Sequence, residues 1–195
     1  GSEVTMWGTI WDLDNNIKKS ISNISLYPDV GIIDGDLTLS LPMDISINTT
    51  LDALSHSFES IWNKNANLKS TNFAIKSISL ILNNFDKLID KPNDLRVRSE
   101  LLKASAYAGL AFSNTQTAAA HSISYPLTIF FGIAHGIASS ITLAELLKMN
   151  HRLINNDLDK ICNLVGLNSF DQLFSKIEDL VYQDGKHRLR NFGIK

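Results

Sequence analysis

Cysteine is almost missing from this chain. Cys162 is the only one in 195 residues, which excludes an internal disulfide and any cysteine-based zinc cluster. It lies in KICNLVGL, an apolar setting in which a small buried hydrophobe is expected. A strong charge of either sign is also lacking: 18 Lys and Arg stand against 20 Asp and Glu, a formal net charge of −2. No basic stripe favours nucleic acid or an anionic membrane, and RVRSE (96–100) and KHRLR (186–190) read as solvated helix surface. No apolar run is long enough to span a bilayer and no signal-peptide pattern opens the chain, so the cytoplasm is the expected location. What remains is 44% hydrophobic and 19% charged. That is the composition of a globular protein able to bury one core, with a small appended unit at most.

The pattern changes at Pro42. Residues 1–42 read as extended: VTMWGTIWD is rich in β-branched and aromatic residues, a turn is expected over Asp12–Asn16, and ISLYPDVGIID forms a second apolar run. Pro28 is expected at a strand entrance or edge, and Asp34-Gly35-Asp36 at a turn. Beyond Pro42, Leu51, Leu54, Phe58, Ile61 and Trp62 fall at helical spacing. A second helix is expected over about 68–89, with Phe73, Ile75, Ile78, Leu80, Ile81 and Phe85 toward the core. A third starts at Pro92-Asn93-Asp94 and runs to about Ser113. A small-residue helix over 115–124 should stop before Pro126, whose ring disfavours helix in the preceding residue. Further helices are expected over 135–149, 157–165 and 169–182. GSEVT starts close to a strand without a cap or initiator Met, and RLRNFGIK shows no helix stop. A fragment cut at both ends is expected; the alternative is a Gly-Ser cloning remnant ahead of a chosen boundary.

Asp52 and His56 lie one helical turn apart and project from one face. Two bland explanations compete with metal ligation. Thr49-x-x-Asp52 loosely fits a capping box, which would make Asp52 a helix-start residue and leave His56 and Glu59 on a solvated face. His121 and His135 sit among small and apolar residues, and a lone buried histidine is usually a hydrogen-bonded core residue. Four such groups together would also make a first shell for a divalent transition metal with an open position. Spacing alone leaves the two readings about even. His151 and His187, in charged contexts, read as surface residues.

DGDLTLSLP, TTLDALSHSFESIW, AAAHSISYPLT and FFGIAHGIASSI, in that order, resemble the iron-containing alcohol dehydrogenase family. The resemblance implies a mainly α fold: a helical metal-binding domain over 43–195, truncated at its C-terminus, preceded by a short β segment (1–42) from the end of an α/β cofactor domain. It implies Asp52, His56, His121 and His135 as ligands of Fe²⁺, with Zn²⁺ the alternative. It further implies NAD or NADP in the full-length protein, with Ser2 and Val4 on the nicotinamide side and Leu37 and Thr38 toward the adenine. Many members carry a further histidine four residues after the third ligand; here that position is Tyr125, a candidate to shape the pocket or donate a proton.

The implied activity is metal-assisted hydride transfer between the cofactor and a small alcohol or aldehyde, in a protein compatible with a homo-oligomer. MWGTIWD with SHSFESIWNKNAN is similar to members that reduce phosphonoacetaldehyde, for which Lys64 is one candidate phosphonate contact. Dehydroquinate-synthase-like and glycerol-dehydrogenase-like enzymes share the architecture and stand as alternatives, as does a non-catalytic helical module. Without the pyrophosphate loop expected upstream, the isolated piece is expected to be inactive.

Overall fold

The computed structural model describes residues 1–12, 14–183 and 185–194. Leu13, inside the expected turn, and Lys195, the last residue of RLRNFGIK, lie outside them. The chain begins with a 3-10 turn at Ser2–Val4 and an antiparallel hairpin, β1 (Trp7–Asp12) and β2 (Ile17–Ser22), in which Trp7 pairs with Ser22 and Asp12 with Ile17. Asp12 fixes the hairpin end by accepting from the Asn15 amide at 3.2 Å and from Lys19 Nζ at 2.8 Å.

Three long helices form the body: α1 (Met43–Trp62), α2 (Leu68–Asp90) and α3 (Leu95–Thr115). The starts of α2 and α3 follow from side-chain caps, while α1 begins after Pro42 without one. Asn67 Oδ1 accepts from the Lys69 and Ser70 amides while Ser70 Oγ accepts from the Asn67 amide, and Asp94 Oδ1 accepts from the Arg96 and Val97 amides. The expected stripe of Leu51, Leu54, Phe58 and Ile61 is buried, as are Ile75, Ile78, Ile81 and Phe85 of α2; Phe73 and Leu80 are half-buried. Burying one such side chain contributes roughly 1.5–3 kcal/mol, so this three-helix contact dominates the fold. Arg98 is buried beside it and ties two helix starts together, donating to Ser46 Oγ at 2.7 Å, Pro92 O at 2.7 Å and Leu41 O at 3.1 Å.

Shorter helices complete the body: α4 (Ala119–Phe131), α5 (His135–Ser140), α6 (Leu143–Asn150), α7 (Asn155–Val165) and α8 (Phe170–Tyr182). Cys162 is buried within α7, as expected. Among the described residues no helix is long and apolar enough to cross a membrane.

Several local expectations fail. α1 starts at Met43, so Thr49 is no cap: its hydroxyl donates back to Ile45 O at 2.9 Å from within the helix. Pro126 lies inside α4 rather than beyond it. A proline removes one backbone donor, and the packing of α4 on α1 and α5 outweighs that loss. The expected 135–149 helix breaks at Ile141 and Thr142. The second strand is Ile17–Ser22, and ISLYPDVGIID instead forms a 3-10 turn (Ile24–Leu26) followed by chain outside any ladder, with Pro28 exposed there. Near the C-terminus a 3-10 turn, Leu189–Phe192, ends at left-handed Gly193.

Candidate metal centre

Asp52 and His56 face the same way because α1 places them one turn apart. The N-terminal turn of α4 brings His121 to them, and the first residue of α5 brings His135. α5 comes this close because Gly136 has no side chain: a Cβ there would fall 1.8 Å from Asn48 O of α1. The three imidazoles converge on one carboxylate. His56 Nε2 is 3.4 Å from Asp52 Oδ2, while His121 Nε2 and His135 Nε2 are 3.4 and 3.6 Å from Asp52 Oδ1. These separations exceed ordinary hydrogen-bond lengths. Donors sharing a tetrahedral ion at bonds of about 2.0–2.1 Å stand about 3.4 Å apart, and one ligand atom from each of Asp52, His56 and His121 lies within 4.8 Å of the others. His121 Nε2 is buried with no hydrogen-bond partner among the described residues. The carboxylate of Asp52 and the imidazoles of His56 and His121 form a donor set that fits a divalent transition metal, and His135 Nε2 lies beside that group, 3.6 Å from Asp52 Oδ1.

Glu59 supports the cluster from behind. It is fully buried, and its Oε2 lies 2.6 Å from His121 Nδ1. Its other oxygen accepts from the Ala120 amide at 2.6 Å and the His121 amide at 3.3 Å, capping α4, whose own N-cap residue supplies no side-chain bond. A carboxylate on Nδ1 keeps that proton in place and leaves Nε2 as a lone pair toward the cluster. Ser139 of α5 donates to Asp52 Oδ1 at 2.9 Å, and Ser55 of α1 donates to Ser139 O at 2.9 Å. His56 is stacked between Phe112 and His121, with ring centroids 4.1 and 4.0 Å away.

The electrostatics follow from this packing. Burial opposes ionisation of Asp52, but the neighbouring charges of His56 and His121 override it and hold the carboxyl well below its usual range. Burial likewise opposes ionisation of Glu59, and its hydrogen bond and charge pairing with His121 hold it down. His121 lies between these two carboxylates. Burial disfavours its charge, yet the carboxylates of Asp52 and Glu59, the latter paired with its Nδ1, push it up to about 9. His56 is lowered by burial and by the charge of His121, and His135 by burial above all.

The cluster forms one wall of a cavity of about 600 Å³ whose other walls include Gly1, Ser2, Trp7, Trp11, Lys18, Phe112 and Tyr125. Trp11 meets His135 and Tyr125 edge-on at 5.8 and 6.3 Å, and Lys18 Nζ lies 3.9 Å from the Tyr125 ring centre. Of the residues assigned to the cofactor by resemblance, Ser2 lines this cavity. Val4 packs toward α3 at Gly109, Leu37 is exposed, and Thr38 lines a second cavity of about 220 Å³ beside Arg98. Lys64 is exposed beyond the end of α1 and is not part of either wall. His151 and His187 stand apart from the cluster. Both are half-buried rather than open surface, their Nδ1 atoms 2.8 Å from Lys148 O and 2.9 Å from Val181 O.

The C-terminal domain model of the Fe-containing alcohol dehydrogenase family matches residues 46–195. The chain belongs to the iron-containing alcohol dehydrogenase family. Similar proteins within it include phosphonoacetaldehyde reductase from Streptomyces viridochromogenes, 31% identical over 80% of this chain and 40% of that protein. 4-Hydroxybutyrate dehydrogenase from Clostridium kluyveri is 29% identical over 100% of this chain and 54% of that one. Among solved structures, sulfoacetaldehyde reductase from Bifidobacterium kashiwanohense in complex with NAD⁺ superposes with a TM-score of 0.89 at 27% identity, over 99% of this chain and 52% of its own. The chain thus spans about half the length of the relatives it matches.

Sequence reasoning gave Glu59 no role at the site, offering a solvated face for it only as the alternative to metal ligation. The available signal was its spacing: three residues after His56, on the neighbouring line of the same helix. Ser139, Trp11, Lys18 and Phe112 carried no such signal, because each reaches the site only through tertiary packing.

Proposed function

We propose that this chain forms the metal-binding half of an NAD(P)-linked alcohol dehydrogenase or aldehyde reductase, with the ion held by Asp52, His56, His121 and His135. The observation that carries this reading is the convergence of three imidazole Nε2 atoms on one carboxylate at 3.4–3.6 Å, one of them buried without a partner. When bound, Fe²⁺ or Zn²⁺ supplies Lewis acidity to a carbonyl or alkoxide oxygen; this ligand set accepts either. The chain's own residues do the rest. Glu59 fixes the His121 tautomer, Ser139 orients Asp52, and Asp52 offsets the charge of the ion. Trp11 and Phe112 wall the cavity with apolar surface that excludes water. Tyr125 offers a hydroxyl at the cavity wall in the place of the histidine common in the family.

The substrate we propose is a two-carbon aldehyde bearing an anionic group, phosphonoacetaldehyde first. Its support is the likeness to phosphonoacetaldehyde reductase and to sulfoacetaldehyde reductase. Lys18 is the one lysine or arginine lining the cavity among the described residues, which favours an anionic ligand there and replaces Lys64 in that role. The chain by itself is proposed to bind metal without turning over substrate. Metal analysis of the purified chain by mass spectrometry tests the reading. About one iron or zinc per chain, lost in Asp52→Ala and in His121→Ala, is the expected result. An unreconstitutable, metal-free wild-type chain would remove the proposal. The complete protein should oxidise NADH or NADPH faster with phosphonoacetaldehyde than with propanal.

A further inference from the structure

Among the described residues three that are not glycine adopt positive φ: Asn16, Gln116 and Gln183. Gln183, at the end of α8, is an ordinary left-handed helix cap (φ 45°, ψ 61°). Gln116, which follows α3, is different: φ 68° and ψ 177° put it in a region that glycine alone enters without strain. Such a conformation persists only where the surroundings over-determine it. The Gln116 amide donates to Phe112 O at 2.7 Å, and its carbonyl accepts from Thr115 Oγ1 at 2.9 Å and Asn63 Nδ2 at 3.3 Å. Asn65 Nδ2 donates to the preceding carbonyl, Thr115 O, at 3.2 Å. The end of α3 is thus clamped to the connection between α1 and α2.

Turn geometry does not account for a glutamine at this point. Glycine would follow the same path without strain, and the chain places glycine at positive φ elsewhere, at Gly132, Gly166, Gly185 and Gly193. What glutamine adds is its side chain. Gln116 is exposed and lines the cavity of about 600 Å³ together with Phe112, Asp52, His56 and His121. Its hydrogen bonds among the described residues all run through the backbone, so the donors and the acceptor of the carboxamide stay open to a ligand.

We propose that Gln116 is a specificity-determining residue: the strained turn holds its carboxamide at the cavity wall, where the NH₂ group donates to an anionic oxygen of the substrate. The inference rests on the reading of this cavity as the substrate site of a reductase for small anionic aldehydes. Position suits the role. Asn63 ends α1 about two turns beyond His56, so Gln116 is pinned apart from the metal ligands and meets the end of the substrate that does not react. A phosphonate or sulfonate carries three acceptor oxygens, with room for a neutral donor besides the charge of Lys18.

Two substitutions test it. Gln116→Gly keeps the turn, relieves the strain and removes the carboxamide. It should raise the melting temperature of the isolated chain by about 2–4 °C at unchanged metal content. In the complete protein it should lower the ratio of kcat/KM for phosphonoacetaldehyde to that for propanal about tenfold. Gln116→Glu keeps the size but sets a carboxylate against the anionic group, and the same ratio should fall about 100-fold, mainly through KM. Binding of phosphonoacetate, which lacks the reacting aldehyde, should weaken in the same order. Tryptophan fluorescence reads it, since Trp7 and Trp11 line the cavity. Either variant keeping the wild-type ratio would overturn the proposal. So would a Gln116→Gly chain that melts below the wild type, because the turn would then carry no strain. A complete wild-type protein without preference for phosphonoacetaldehyde would instead refute the substrate reading, and Gln116 would lose its role with it.

Discussion

The helical body and the N-terminal arm handle polarity in opposite ways. In the body, Glu59, Arg98, His121 and a set of serines are buried, and hydrogen bonds reach nearly all of them from other helices. In the arm, Val30, Ile32 and Ile33 stand in water and take part in no backbone–backbone hydrogen bond among the described residues. Buried polar groups persist only where partners are supplied, so the body completes itself from its own residues. Among the described residues the buried side-chain atoms without a partner include Asn48 Oδ1, Thr128 Oγ1 and Thr142 Oγ1, and three more are ring nitrogens of His56, His121 and His135, gathered around Asp52. The arm is unfinished along a whole segment, the body most densely at that cluster of side chains. The two gaps have different shapes, one a stretch of backbone and the other a cluster suited to an ion.

Substitutions should separate the two regions. The largest effect belongs to the body's apolar contact: Phe58→Ala, at a fully buried position, should destabilise the chain by about 3–5 kcal/mol in denaturant titration. Equal stability would mean that α1 does not anchor the fold.

Next comes Glu59→Gln. The amide oxygen can still accept from the Ala120 amide, but its NH₂ group would face His121 Nδ1, moving the ring proton to Nε2. Metal affinity, read by chelator competition, should fall about 10–100-fold with little change in helix content. Unchanged affinity would reduce Glu59 to a helix cap.

A pH series gives a third, intermediate contrast. In the metal-free chain His121 is raised from 6.5 to about 9. Its contribution to stability is therefore fully present below pH 6.5 and lost as pH rises through about 9. Metal must displace that proton, so affinity should move oppositely, rising up to about tenfold per pH unit until about 9. Parallel trends in thermal melts and metal titrations would contradict the assignment. The smallest effect is expected in the arm, where Ile24→Ser should change the stability of the isolated chain by no more than about 0.5 kcal/mol.

The long helices were readable in advance because their signals are local: apolar spacing on α1 and α2, and caps at Asn67 and Asp94. The four proposed ligands were about an even reading from spacing and setting alone, and it was the resemblance to the family that selected them. Less local features escaped. Nothing near Pro126 announces that α4 runs through it, since the compensating contacts come from α1 and α5. The run ISLYPDVGIID has a strand's composition without a strand's neighbours, and composition alone could not say that Ile17–Ser22 would pair with the first strand instead. Glu59 was given no role because a carboxylate on a helix is ordinarily solvated, and its buried role exists only once α4 arrives.

Glu59 and His121 are separated by 62 positions, yet they share one hydrogen bond and one helix start. During synthesis, α1 emerges with only Asp52 and His56 to offer, a two-toothed chelate that grips an ion weakly. Tight capture waits until α4 has swung onto α1 and Glu59 has organised its first turn. Under the proposed ligand assignment, loading would be a late event that requires α1 and α4 to be assembled, and an unassembled chain would leave the ion in solution.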